Sequence, residues 1–149
     1  MRAMTREFAS NSADGTVQLG HELAPLLRHA TLVLLRGDLG TGKTTLVKGI
    51  AEAFGAAERE DVTSPTFTLV HEYHGPERAI YHIDLYRIET QHDLDGLGID
   101  DLVRDKSNLV LVEWGEKFPR LVSMSDAEIS ITRAGADGRK LRLSIGAHR

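Results

Sequence analysis

Apolar residues fall along this chain in two kinds of block, short continuous or alternating runs and longer stripes at helical spacing. Residues 31–36 (TLVLLR) are a run of the first kind, β-branched and leucine-rich, as a parallel strand buried on both faces requires. Leu19, Leu23, Leu26 and Leu27 make a stripe of the second kind, with Ser10, Asn11 or Ser12 available to cap it, and predict a helix over 13–28. Pro25 lacks an N–H and clashes with the turn before it, so a kink or break is expected there. Leu46, Val47, Ile50, Ala51 and Phe54 form a second stripe, and Gly55 is placed to stop that helix in a left-handed cap.

The later half is richer in strands. The runs 66–73 and 79–85 flank His74-Gly75-Pro76-Glu77, which carries turn chemistry, and should pair as a hairpin. Residues 93–103 read as a short helix with Leu94, Leu97 and Leu102 inward, interrupted by Gly96 and Gly98. An apolar strand follows over 108–112. Residues 127–132 and 140–145 alternate apolar and polar positions about Ala136-Asp137-Gly138, a second hairpin. The fold class is therefore α/β: a central parallel sheet with antiparallel strands added and helices on both faces.

Length and composition narrow this. A chain of 149 residues suits one domain over 1–149 with a sizeable core. The 18 Lys and Arg against 22 Asp and Glu give a net charge of -4, which argues against a surface that grips nucleic acid all round and leaves room for a local basic patch. There is no cysteine, so disulfides and thiolate metal sites are excluded, and a reducing cytoplasm fits. No apolar run is longer than 32–35, far short of a membrane span, and residues 1–12 lack the apolar stretch of a secretory signal.

Between the first strand and the second helix lies Gly37-Asp38-Leu39-Gly40-Thr41-Gly42-Lys43-Thr44, which fits G-x-x-x-x-G-K-[ST] at every fixed position. Strand, loop and helix come in the order that a phosphate-binding loop needs, which adds a phosphate-loop NTPase fold to the expected architecture. The glycines let the backbone N–H groups of 38–45, from Asp38 to Thr45, curl around β- and γ-phosphates. Lys43 adds a point charge, the Thr44 hydroxyl is placed to ligate magnesium, and the start of the helix offers unsatisfied N–H groups to the anion. The [NT]-K-x-D motif of guanine binders is absent, so ATP with Mg2+ is the expected ligand.

Hydrolysis needs a second carboxylate near the metal, and two compete. Glu113 follows Leu109-Val110-Leu111-Val112, and Asp84 follows Ala79-Ile80-Tyr81-His82-Ile83. Spacing alone leaves them level, and either could instead cap a helix or face water. Thr63-Ser64-Pro65-Thr66 lies where a switch hydroxyl would sit, though a plain proline turn reads the same way. Trp114, the only tryptophan, is either core filler or a neighbour of the nucleotide. The seven histidines include no convincing four-ligand zinc pattern.

Taken together, residues 37–45, Ser64-Pro65-Thr66-Phe67-Thr68-Leu69-Val70, His82-Ile83-Asp84-Leu85-Tyr86-Arg87 and Glu113-Trp114 resemble the TsaE family, ATPases of bacterial threonylcarbamoyladenosine tRNA modification. The resemblance spans nearly the whole chain. It implies an ATP-hydrolysing subunit that works with the TsaB and TsaD proteins, whose assembly transfers a threonylcarbamoyl group to tRNAs that read ANN codons; contact with tRNA would be indirect. It implies further that Lys43 sits on the phosphates and that Thr44 and Glu113 hold magnesium, which breaks the tie between the acids. Asp84 then belongs to the water or metal network, Ser64 and Thr66 to a mobile switch, and Arg139 of Gly138-Arg139 approaches the nucleotide or is a plain turn arginine. His71 in the L-V-x-E-Y stretch and Gly115 after Trp114 are minor departures. Arg87 and Arg139 are the arginines to suspect near a γ-phosphate, and neither is an evident finger, so hydrolysis by the chain alone should be weak. A small-molecule kinase and a non-hydrolysing nucleotide-gated module stay open as alternatives; against the kinase, the insert 89–107 is short and mostly acidic where a mobile lid bearing arginines is usual.

Overall fold

The computed structural model describes residues 3–146, and its strands follow the apolar runs. β1 (Met4–Ser10), β2 (Leu32–Arg36), β3 (Val70–His74), β4 (Ala79–Asp84), β5 (Leu109–Glu113), β6 (Ala127–Ala134) and β7 (Gly138–Ile145) form one seven-stranded sheet in the order β1-β7-β6-β2-β5-β4-β3. β6, β2, β5 and β4 run parallel at the centre, while β6–β7, β7–β1 and β4–β3 pair antiparallel. The parallel strands therefore end together along one edge of the sheet, where α/β folds carry their ligands.

Alternation along the central strands divides the core in two. Val33, Leu35, Leu109 and Leu111 face one side, against Leu19 and Leu23 of α1 (Ala13–Leu23) and Leu46, Val47 and Ile50 of α2 (Lys43–Ala53). Leu32, Leu34, Val110 and Val112 face the other, against Leu94 of α3 (Gln91–Asp95), Ile99 of α4 (Ile99–Arg104) and Leu121 of α5 (Pro119–Met124). Burial on both faces is what made these strands continuously apolar. Among the described residues no helix is long and apolar enough to cross a membrane.

α1 starts where Ser12 accepts a hydrogen bond from the Gly15 N–H at 3.0 Å, and it ends at Leu23; a 3₁₀ turn over Ala24–Leu27, with Pro25 in its first positions, is the expected break. α1 and α2 cross almost backbone to backbone. A Cβ on Gly20 would lie 2.6 Å from the Leu46 carbonyl oxygen, and one on Gly49 would overlap the Val17 carbonyl oxygen. At the far end of the sheet, the Arg78 guanidinium donates to the carbonyls of Ser107 (3.1 Å), Leu27 (2.9 Å), Ala30 (2.6 Å) and Asn108 (2.7 Å), tying the segments that lead into β2 and β5 to the start of β4.

Two expectations need correction, and two elements are additions to the reading. The strand read over 66–73 begins only at Val70, because residues 66–68 turn and Leu69 takes a left-handed conformation (φ 70°), its N–H donating to the Pro65 carbonyl at 2.7 Å. The helix read over 93–103 is two short helices, separated at Gly98 (φ 72°). β1 and α5 were not expected: Thr5, Arg6 and Glu7 of β1 are exposed and hide its alternation, and α5 spans only six residues.

Candidate functional site

β2 runs into the glycine-rich loop at the sheet edge, and the loop feeds directly into α2. Gly40 (φ 77°) and Gly42 (φ 103°) adopt the left-handed backbone that other residues avoid, and Gly42 is the N-cap of α2. At Gly37 the constraint is space: a Cβ would stand 2.7 Å from the Thr41 hydroxyl and 2.8 Å from the Ile131 carbonyl oxygen. The Thr41 side chain is buried and donates to the Asp38 carbonyl at 2.9 Å, as does its N–H at 3.3 Å, while Leu39 stands out into solvent. Thr44 and Thr45 occupy the first turn of α2, whose leading N–H groups have no intrahelical acceptor.

The loop is held from the side by the β6–β7 hairpin. Arg139 donates from Nε to the Thr41 carbonyl at 2.6 Å, and from a terminal nitrogen to its neighbour Gly138 at 2.7 Å. Arg133, its register partner across the hairpin, donates to the Gly40 carbonyl at 2.8 Å. The structure thus brings Arg139 to the loop backbone and adds Arg133. That second arginine carries no motif; it could have been found only by counting the pairing back from the hairpin turn.

The two candidate acids meet. β4 and β5 pair in parallel with Asp84 opposite Glu113 at their carboxyl ends, and both side chains are buried. Glu113 Oε1 lies 3.7 Å from Lys43 Nζ, and Oε2 is 2.5 Å from Nε2 of the fully buried His82. Lys43 itself is buried; its ammonium also donates to the Gly37 carbonyl and sits 4.6 Å over the Trp114 ring. Asp84 accepts from the Tyr86 N–H at 2.9 Å and from the Thr66 hydroxyl at 3.0 Å, and Thr66 is 2.7 Å from the Ser64 hydroxyl. The segment expected to act as a switch is in this way fastened to the carboxylate of β4, not to β5.

Backbone strain marks the same place. Trp114, immediately after Glu113, is left-handed (φ 64°), which a bulky residue adopts at a cost of order 1–2 kcal/mol. Its ring tilts against Tyr86 with centroids 5.3 Å apart. Arg87 stacks over the exposed Phe67, 4.5 Å from the ring centre. One end of the sheet thus gathers a cation, two carboxylates, several hydroxyls and the unsatisfied leading amides of α2, a set suited to a polyanion carrying a hard divalent cation.

The family model described as threonylcarbamoyl adenosine biosynthesis protein TsaE matches residues 10–141. The chain belongs to the TsaE family. Among TsaE relatives, the tRNA threonylcarbamoyladenosine biosynthesis protein TsaE of Treponema pallidum is 37% identical over 131 residues, 88% of this chain and 93% of that protein. The protein of the same name from Rickettsia bellii is 32% identical over 139 residues, 93% of this chain and 94% of its own. The crystal structure of Bacillus subtilis YdiB superposes with a TM-score of 0.73 at 27% identity, over 97% of this chain and 88% of that one. The TsaE match includes the glycine-rich loop, both carboxylates and the hairpin arginines.

Proposed function

We propose that this chain is an ATP-binding and ATP-hydrolysing subunit required for threonylcarbamoyladenosine modification of tRNA, acting on an assembly of TsaB and TsaD proteins that performs the chemistry on tRNA. The observation that carries the reading is the convergence, in a TsaE-family chain, of the glycine-rich loop, Lys43 and Glu113, with Lys43 Nζ and Glu113 Oε1 3.7 Å apart. The residues fit Mg2+-ATP. The loop glycines leave no side chain where phosphates would approach, the Lys43 ammonium suits the phosphate oxygens, and the threonine hydroxyl and carboxylates are hard oxygen ligands that suit magnesium better than a softer metal. Magnesium, when bound, would neutralise charge on the phosphates. Lys43 and the amides of 38–45 would hold the triphosphate, Thr44 and Glu113 the metal, and Asp84, with Thr66 and Ser64, the surrounding water network.

Each arginine near the site already has a partner: Arg133 and Arg139 hold loop carbonyls, and Arg87 stacks on Phe67. This supports weak hydrolysis by the isolated chain and stimulation by a partner that supplies or frees a cation. The kinase alternative loses ground, because the segment that would have to form its lid instead buries Leu94 and Ile99 in the core. The decisive experiment is depletion of the protein in its native cell, with threonylcarbamoyladenosine in bulk tRNA quantified by mass spectrometry. The modification should fall, a wild-type copy should restore it and a Lys43→Ala copy should not. Unchanged modification on depletion would sink the proposal.

A further inference from the structure

His82 occupies a position where an aliphatic residue would be ordinary. It lies on β4 between Ile80 and Ile83, it is 0% exposed, and its register partner on β5 is Leu111. Burying an imidazole there has a cost, since the ring exchanges water for apolar neighbours and its Nδ1 finds no hydrogen-bond partner. One contact offsets it: Nε2 stands 2.5 Å from Glu113 Oε2. With a carboxylate as acceptor, Nε2 carries the hydrogen and donates it. Glu113 is left with Oε1 turned towards Lys43, at 3.7 Å, and the mouth of the glycine-rich loop.

We infer that His82 is a positioning residue for the metal-binding carboxylate, its Nε2–H occupying Glu113 Oε2 so that Oε1 is the oxygen presented to a divalent cation. The inference rests on the Mg2+-ATP reading above. A glutamate side chain has three rotatable bonds, and strand pairing fixes only where its Cα lies; the buried hydrogen bond selects one rotamer before any ligand arrives. Lys43 cannot do this alone. Its ammonium is shared among Gly37, Glu113 and Trp114, and it would be drawn to the phosphates in the same event that brings the metal. Imidazole on β4 is fixed by the core around it and stays where it is.

The test reads how strongly magnesium enhances ATP affinity, as the ratio of dissociation constants in EDTA and in Mg2+, measured by calorimetry on the full chain. Groups that orient a ligating carboxylate typically contribute 10–100-fold to metal affinity, so His82→Leu should reduce this ratio about tenfold or more and leave the affinity in EDTA unchanged. His82→Gln, which keeps an N–H donor of similar reach, should recover most of the loss. In the wild-type protein, the imidazole ¹⁵N resonances of His82 should shift when Mg2+ is added to the ATP complex, a readout that does not depend on any variant folding. A wild-type ratio in a folded His82→Leu protein, a glutamine variant as poor as the leucine one, or imidazole resonances unmoved by Mg2+ would each overturn the inference. Wild-type protein that binds ATP equally in EDTA and in Mg2+ would overturn the metal reading itself, and this inference with it.

Discussion

Trp114 holds two unusual positions at once, a left-handed backbone and a ring directly beneath the Lys43 ammonium at 4.6 Å. Any anion that draws Lys43 away changes the field on the indole. Tryptophan emission should therefore change when Mg2+-ATP binds, and Trp114 is the sole source of that signal. Flat emission at saturating ATP, with binding shown by calorimetry, would remove Glu113 and Trp114 from the site and transfer the metal role to Asp84. At this scale the glycine-rich loop was legible because its chemistry is compressed into eight consecutive residues. From spacing, Asp84 and Glu113 were legible only as rivals, and it took the TsaE resemblance to rank them, since the strand pairing that sets them side by side is a long-range fact. His82 was visible only as a motif residue without a partner, and Arg133 not at all, for the same reason: each owes its contact to a register that no local spacing encodes.

The helix behind the loop owes its placement to the glycine crossing between α1 and α2. Gly49→Ala should destabilise the fold by about 3 kcal/mol, because the methyl meets a backbone carbonyl that cannot turn aside. Gly135→Ala is the comparison. Its backbone is also left-handed (φ 79°), but a methyl there meets nothing within 4 Å, so only the conformational penalty of about 1 kcal/mol applies. Equal losses in denaturant midpoint for the two variants would show that close approach is not what fixes α2. The elements themselves were readable wherever burial on one or both faces imposed a period, as in β2, β5, α1 and α2. They were misread where a tertiary contact overrode the period. Residues 66–69 have strand-forming side chains, yet the Thr66 hydroxyl is bound to Asp84 and Leu69 is turned left-handed, so the ladder cannot start until Val70.

Across the whole molecule, the site draws on the loop after β2, the ends of β4 and β5, and the β6–β7 hairpin, and every arginine near it is engaged. On the proposed function, steady-state phosphate release by the isolated chain should be slower than with TsaB and TsaD by on the order of 10³, the amount that a missing cation costs phosphoryl transfer. Glu113→Ala should abolish most of the stimulated rate. Identical rates with and without the partners, or full turnover in the Glu113 variant, would defeat a partner-dependent ATPase.

The strand order also has a consequence for synthesis. A chain that has left the ribosome only as far as β5 already contains the glycine-rich loop, Lys43 and both carboxylates, but not the hairpin whose Arg133 and Arg139 grip the loop. The hold on the loop therefore comes late: in the finished fold the Gly40 and Thr41 carbonyls are bound by a hairpin made well after the loop itself. Even β1 must wait, since its only pairing is with β7: the earliest of the described strands to be made has no neighbour until the last one is.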